Sequence, residues 1–214
     1  MTRRSFHRAG EAERRNDLIA ATLDSISEHG LEGATVRDIA ARAGVTGGLI
    51  RHYFAGKDQM LQAAYREVLA NMTETAVAAL DDVDADPHAR LRRFIIANVS
   101  PPIADSKALS LWAAFISRVR SDDEFARIHR ENYLTFLGIL ETLIYALLEA
   151  QGRRPEPDEC RKLAIAINGL IDGLWLESSL ASDLFADQSL QQIAIDAVEA
   201  LLGGPFLKNT PASA

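Results

Sequence analysis

The sequence predicts an all-α protein in which a small N-terminal domain of three helices is followed by a larger helical region. Three observations carry that prediction. Apolar residues recur every three or four positions along most of the chain, and strand-like alternation is rare. Alanine and leucine dominate, and the 13 glycines and 7 prolines punctuate the chain at wide intervals. The length of 214 residues suits a small domain joined to a larger one.

Residues 1–10 have no apolar period and read as a mobile basic arm. From about Glu11 to His29, Leu18, Ile19, Thr22, Leu23 and Ile26 make one face of an amphipathic helix that Gly30 stops. Thr35 caps the next helix, whose Val36, Ile39, Ala40 and Ala43 fall on one stripe, and Gly44 ends it. Thr46 stands at the cap of a third, in which Ile50 and Phe54 turn inward while Gly47, Gly48, Arg51 and His52 are left on another face. Residues 11–56 are therefore read as a helix-turn-helix domain.

A connecting helix over residues 57–80 carries Met60, Leu61, Ala64, Tyr65, Val68 and Met72 at helical spacing. The acidic run from Asp81 to Asp86, closed by Pro87, is the clearest break. A short helix from His88 to Val99 then stops at Pro101 and Pro102. Lys107 to Arg120 turns Leu111, Trp112, Phe115, Ile116 and Val119 inward, and Ser121 or Asp122 can cap a helix running to Ala150. Gly152, Pro155 and Pro157 end it. Two apolar helices follow, Asp158 to Ser182 and Asp187 to Leu202, which complete a region over residues 57–205 with a tail at 206–214. Gly169 and Gly173 share one side of the first of these, and close packing within the chain or against a second copy would account for them equally.

The run TVRDIAARAGVTGGLIRHYFAGK, Thr35 to Lys57, resembles the helix-turn-helix of the TetR family of dimeric, ligand-responsive repressors. The departures are Thr46 where serine is usual and Arg51 where an aromatic is common. The stretches VTGGLIRHYF and LIDGLWLESSL are similar to the choline-responsive, BetI-like branch that governs glycine betaine synthesis. This resemblance implies a homodimer whose last two helices pair with their counterparts, a palindromic double-stranded DNA operator, and a small-molecule effector in the C-terminal region. It also implies that Thr35, Tyr53 and Lys57 hold phosphate. From the residues alone, Tyr53 serves equally as packing beneath the motif and Lys57 as a surface charge at a helix start. A DNA-reading helix needs close backbone approach, base contacts and phosphate anchors. Gly47 and Gly48 supply the first, Leu49 the second through a thymine methyl, Arg51 and His52 reach bases or phosphates, and Arg37 with Thr46 completes the DNA-binding set.

The formal charge of -7 is uneven: residues 1–66 hold ten Lys and Arg against eight Asp and Glu, and the remainder thirteen against twenty-two. An acidic body behind a basic end favours one docking orientation on DNA. The one cysteine, Cys160, excludes an internal disulfide and a cysteine-based metal cluster. Neither a signal-type apolar core nor an uncharged spanning stretch is present, since the run Leu134 to Leu148 contains Glu141, so a cytoplasmic protein without a membrane partner is expected. Five scattered histidines, no phosphate loop and no H-E-x-x-H pair leave no basis for an enzyme, a metal or a cofactor.

For the effector, the resemblance draws attention to Trp112, Phe115, Tyr133, Tyr145 and Trp175, because aromatic faces attract a quaternary ammonium ion, with Asp172 as a balancing carboxylate. Core packing explains each aromatic as well. The expected function is a TetR-type repressor released from its operator by choline or a related amine. The alternative is a regulator of efflux or lipid metabolism that answers an apolar ligand.

Overall fold

The computed structural model describes residues 3–81, 86–181, 183, 185, 189–204 and 207, with residues 3–9 as backbone only. The centre of the acidic break after Asp81 and all of the tail beyond Leu207 lie outside the described residues. Among those described there are helices and turns and no strands. The helices are α1 (Arg3–Gly33), α2 (Val36–Arg42), α3 (Gly47–Tyr53), α4 (Lys57–Ala78), α5 (Pro87–Asn98), α6 (Ser106–Ile116), α7 (Asp123–Ala150), α8 (Pro157–Leu180) and α9 (Leu190–Leu202).

Side-chain caps and glycine stops set several of the limits. Asp122 accepts hydrogen bonds from the Glu124 and Phe125 amides, so it is the cap of α7. Ser189 caps α9 through the Gln192 amide, and Gly203 ends it in the left-handed region at φ 88°. Several limits differ from expectation: α6 ends at Ile116 and gives way to turns instead of running to Arg120, and α9 begins only after Ser189. Backbone helix begins at Arg3 rather than at Glu11, because Arg, Ala and Glu favour helix without an apolar stripe to reveal it. Pro157 opens α8 instead of closing α7, because its fixed φ and missing N–H suit the first helical position.

The chain divides into two compact units, each built from more than one stretch of sequence. One unit comprises the residues up to Ala70 together with Ser110–Arg130, and the other Asn71–Leu109 with the residues from Glu131 onward. Sequence order conceals this division, since α4, α6 and α7 each contribute to both.

In the first unit α1 packs on α2 and α2 on α3, around Leu18, Ile19, Ile26, Ile39, Ile50 and Phe54, all at most 3% exposed. Tyr65 of α4 stacks on Phe115 of α6, with ring centroids 5.0 Å apart, and on Phe125 of α7 at 5.6 Å. Its hydroxyl hydrogen-bonds Nδ1 of His129 at 2.8 Å, and burial pushes that imidazole below its usual pKa. Glu124 is held by Arg127 and Arg66, which bring its carboxyl down to about 2.

The second unit has one continuous core that includes Leu91, Phe94, Ile95, Leu140, Ile144, Ala164, Ile167, Trp175, Ile195 and Val198. By length and composition α7 and α8 could each cross a bilayer. Here their apolar stripes enter this core, and Glu141 pairs with Arg161. The Trp175 indole N–H donates to the Asn98 carbonyl at 2.7 Å, which joins α8 to α5. Trp175→Phe removes one ring of the buried indole and strands a buried carbonyl, so a loss of at least about 1–3 kcal/mol in urea unfolding is expected.

Candidate nucleic-acid interface

The helix pair α2–α3 is held on α1 by a polar network that the sequence pattern did not reveal. Ser25 of α1, fully buried, donates to Asp38 of α2 at 2.6 Å. Arg42, one turn further on, donates from Nε to the same carboxylate at 2.7 Å and grips Glu28 with both terminal nitrogens at 2.9 and 2.7 Å. The Ser25 and Arg42 hydrogen bonds hold Asp38 below its usual pKa, the Arg42 bond does the same for Glu28, and both raise that of Arg42. Arg42 is thus a structural residue, although by composition it counts among the motif's cations.

These depressed carboxyls contribute stability at neutral pH, above their unfolded values of roughly 4, and lose it as pH falls through their lower folded values. Asp38→Asn is expected to unfold at lower urea than the parent at pH 7. In parallel urea titrations the difference should narrow as pH falls below the unfolded value of roughly 4.

Gly30 breaks α1 with φ 70° and ψ 176°, and Thr35 then caps α2, its hydroxyl accepting from the Asp38 amide at 3.2 Å. The turn between α2 and α3 needs Gly44 at φ 65°, with the Val45 amide donating to the Ala40 carbonyl. Thr46 occupies the N-cap of α3 through its backbone carbonyl, which accepts from Leu49, but its hydroxyl makes no capping bond. The expected side-chain cap is therefore absent at Thr46, leaving that hydroxyl for another acceptor or donor.

Along α3, Ile50 and then Phe54 are buried, Leu49 and Tyr53 are half-buried, and Gly48, Arg51 and His52 are exposed. The rings of His52 and Tyr53 meet edge to face at 5.2 Å. A Cβ added at Gly47 would meet the Val36 methyl at 4.0 Å and one at Gly48 the Thr46 hydroxyl at 3.7 Å, both ordinary contacts. Nothing inside the chain requires glycine at either place. Arg37 and Arg51 are exposed and have no ion-pair partner among the described residues. Lys57 differs, because its ammonium donates to the Leu31 carbonyl at 3.0 Å and so anchors the start of α4 on the end of α1.

The aromatic residues considered for an effector divide between the two units. Trp112 and Phe115 belong to the first, where Phe115 is fully enclosed in the stack with Tyr65 and Phe125 and serves as core. Tyr133, Tyr145, Asp172 and Trp175 belong to the second. There Tyr133 packs on the core beside which Trp175 is buried, whereas Tyr145 is 45% exposed. Burial pushes the Asp172 carboxyl up to about 6, against the opposing hydrogen bond from the Asn168 amide at 3.1 Å. Asn168 was missed by sequence reading, although its i, i+4 spacing from Asp172 was visible. Tyr65 and His129, 64 positions apart, gave no such signal. Among the described residues no group of three or more His, Cys, Asp or Glu side chains is placed to hold a metal ion.

A three-helix head with a capped helix, a glycine turn and an outward-facing second helix, in an all-helical chain, defines a helix-turn-helix regulator. Residues 18–64 match the tetR family of bacterial regulatory proteins, and residues 87–203 match the C-terminal domain of BetI-type transcriptional repressors. The chain belongs to the TetR family and carries a BetI-type C-terminal domain. It is 33% identical over 184 residues to the HTH-type transcriptional regulator BetI of Stenotrophomonas maltophilia, an overlap of 86% of this chain and 90% of that one. A solved transcriptional regulator from Pseudomonas aeruginosa superposes with a TM-score of 0.77 at 32% identity, covering 90% of this chain and 89% of that one. A regulator from Saccharomonospora viridis, solved in complex with choline, shares the fold with a TM-score of 0.71 at 21% identity over 88% and 96% of the two chains.

Proposed function

We propose that this regulator acts in the cytoplasm as a homodimeric repressor that reads a palindromic operator with α3 of each subunit and leaves it when a quaternary ammonium compound such as choline binds the second unit. The observation that carries the DNA part is the outward face of α3. It presents Gly47 and Gly48, which internal packing does not require, beside the exposed Arg51 and His52. Close approach of the α3 backbone to a major groove uses the missing side chains, with Leu49, Arg51 and His52 toward base edges. Thr35, Arg37, Thr46, Tyr53 and Lys57 border that face as phosphate contacts, Lys57 with whatever donor capacity its bond to Leu31 leaves.

The exposed face of α8 supports the dimer. Ile165, Gly169, Gly173, Leu176 and Leu180 are all exposed and fall on one stripe, and a Cβ at either glycine would meet no atom within 4 Å. That open space favours packing against a second copy over packing within the chain. An exposed apolar stripe with room for a second backbone fits a symmetric helix bundle between two copies.

For the effector, Asp172 supplies a counter-charge, with Trp175 and Tyr133 of the same unit as candidate faces, and both the BetI-type domain and the choline-bound relative support a quaternary amine. Release needs a ligand that binds one spacing of the recognition helices better than the other. The aromatic cluster Tyr65, Phe115, Phe125 and His129 joins α4 to α6 and α7, so a shift in α6 or α7 would be felt in the helix that follows the reading motif.

The pH dependence tests the role of Asp172. Its folded pKa of about 6 stands above the unfolded value of roughly 4, so without ligand this group favours the folded state increasingly as pH falls from 7 to 5. A bound cation needs the ionised form. Choline affinity, measured calorimetrically, is therefore expected to weaken as pH drops through 6, and Asp172→Asn to remove both most of the affinity and its pH dependence. Affinity equal at pH 7.5 and pH 5 would exclude Asp172 as counter-ion.

A further inference from the structure

The second unit holds a cleft of about 330 Å³ that belongs to neither the reading face nor the surroundings of Asp172. Its walls come from the last turn of α4 and the residue after it, from α5, and from the turn that follows α5. Ala79, Ile96 and Pro102 make it apolar, and Thr75, Arg93 and Ser100 add polar groups. The volume lies at the small end of the range for ligand sites, which runs from roughly 300 to 1,000 Å³.

The polar groups have distinct roles. The Ser100 hydroxyl is engaged, donating to the Ile96 carbonyl at 2.6 Å and accepting from the Gln191 amide at 3.0 Å. Arg93 is exposed and, among the described residues, has no carboxylate partner, and the Thr75 hydroxyl has no hydrogen bond there. Among the described residues no acidic side chain lines the cleft. The available groups are thus a guanidinium and a hydroxyl over an apolar wall. That set selects an anion and penalises a cation, the opposite preference to that of Asp172.

We propose that this cleft is a second small-molecule site, specific for a short-chain carboxylate whose head group pairs with Arg93 and the Thr75 hydroxyl while its hydrocarbon body lies on Ile96 and Pro102. A guanidinium fork matches a carboxylate geometrically, and the charge-assisted bonds discriminate against a neutral head of the same length. Thr75 lies on α4, so occupancy bears on the helix whose earlier turns carry Tyr65.

The test is calorimetric titration of butyrate, hexanoate and octanoate, each beside the alcohol of equal length, into the full chain at pH 7.5. At least one acid of the series should bind, and about tenfold or more tightly than its alcohol, as expected for a charge-assisted bond. Arg93→Gln should abolish that preference, and Thr75→Val should reduce it. Both variants should keep the parent's thermal unfolding, operator affinity and choline titration, none of which this site supports. Acid and alcohol binding alike, no binding across the series, or an unchanged acid preference in Arg93→Gln would each overturn the proposal. Because operator and choline binding are measured on the same samples, failure here is separable from failure of the repressor reading.

Discussion

Arg51→Ala is expected to weaken operator binding by at least about tenfold while leaving thermal unfolding unchanged. Arg51 is exposed on α3 with no ion-pair partner among the described residues, so its removal costs the fold little. On DNA it stands one turn from Gly47 and Gly48, and removing its bond to a base or phosphate costs about 1–3 kcal/mol in each half-site. The two kinds of bond separate by salt. If Arg51 grips phosphate, the slope of log affinity against log salt falls by about 0.9 for each subunit. If it reads a base, the slope holds and sequence discrimination relaxes at one symmetric pair of positions. Arg42→Ala makes the informative comparison, because Arg42 is spent on Glu28 and Asp38. It should lower the unfolding midpoint first and affect DNA through the loosened seat of α2.

The second large effect is expected from Gly169→Leu combined with Gly173→Leu. A Cβ added at either position meets no atom of its own chain within 4 Å, and replacing glycine within a helix gains about 1 kcal/mol at each position. The isolated subunit should therefore remain helical and be somewhat more stable. The stripe with Ile165, Leu176 and Leu180 would no longer admit a second backbone, so sedimentation should show a monomer where the parent is a dimer. Operator affinity should then fall by two or more orders of magnitude, since the second half-site is no longer engaged at the roughly millimolar effective concentration that linkage supplies. A double variant that stays dimeric would place the interface elsewhere.

What could be read from the sequence was what depends on neighbours a few positions apart. The cap at Thr35, the helix stop at Gly44, the inward Ile50 and Phe54 and a cap at Ser121 or Asp122 all rest on spacings of one to four residues, and the fold has each of them, with Asp122 as the cap. Contacts between distant segments were not readable. Nothing in the periodicity shows that Ser110–Arg130 joins α1–α3 in one unit, that Tyr65 meets His129, or that Arg42 is consumed by Glu28 across 14 positions. Thr46 shows a different limit: the residue type at an N-cap fixes where α3 starts, whereas the rotamer that would let its hydroxyl bond a backbone amide depends on packing. The effector residues were the least readable, because Phe115 in an enclosed stack and Trp175 on a core carbonyl have the same periodic signature as a ligand cage.

The reading of DNA by paired α3 helices is tested most directly by half-site spacing. From random-sequence DNA the protein should select a palindrome whose half-site centres lie about one helical turn apart, roughly 34 Å along one face of the duplex. Affinity is then measured for that site and for one with about half a turn inserted at its centre, which carries one half-site to the opposite face. The account predicts that the insertion lowers affinity to that of a single half-site. Equal affinity for the two DNAs, or selection of a site without two-fold symmetry, would contradict it.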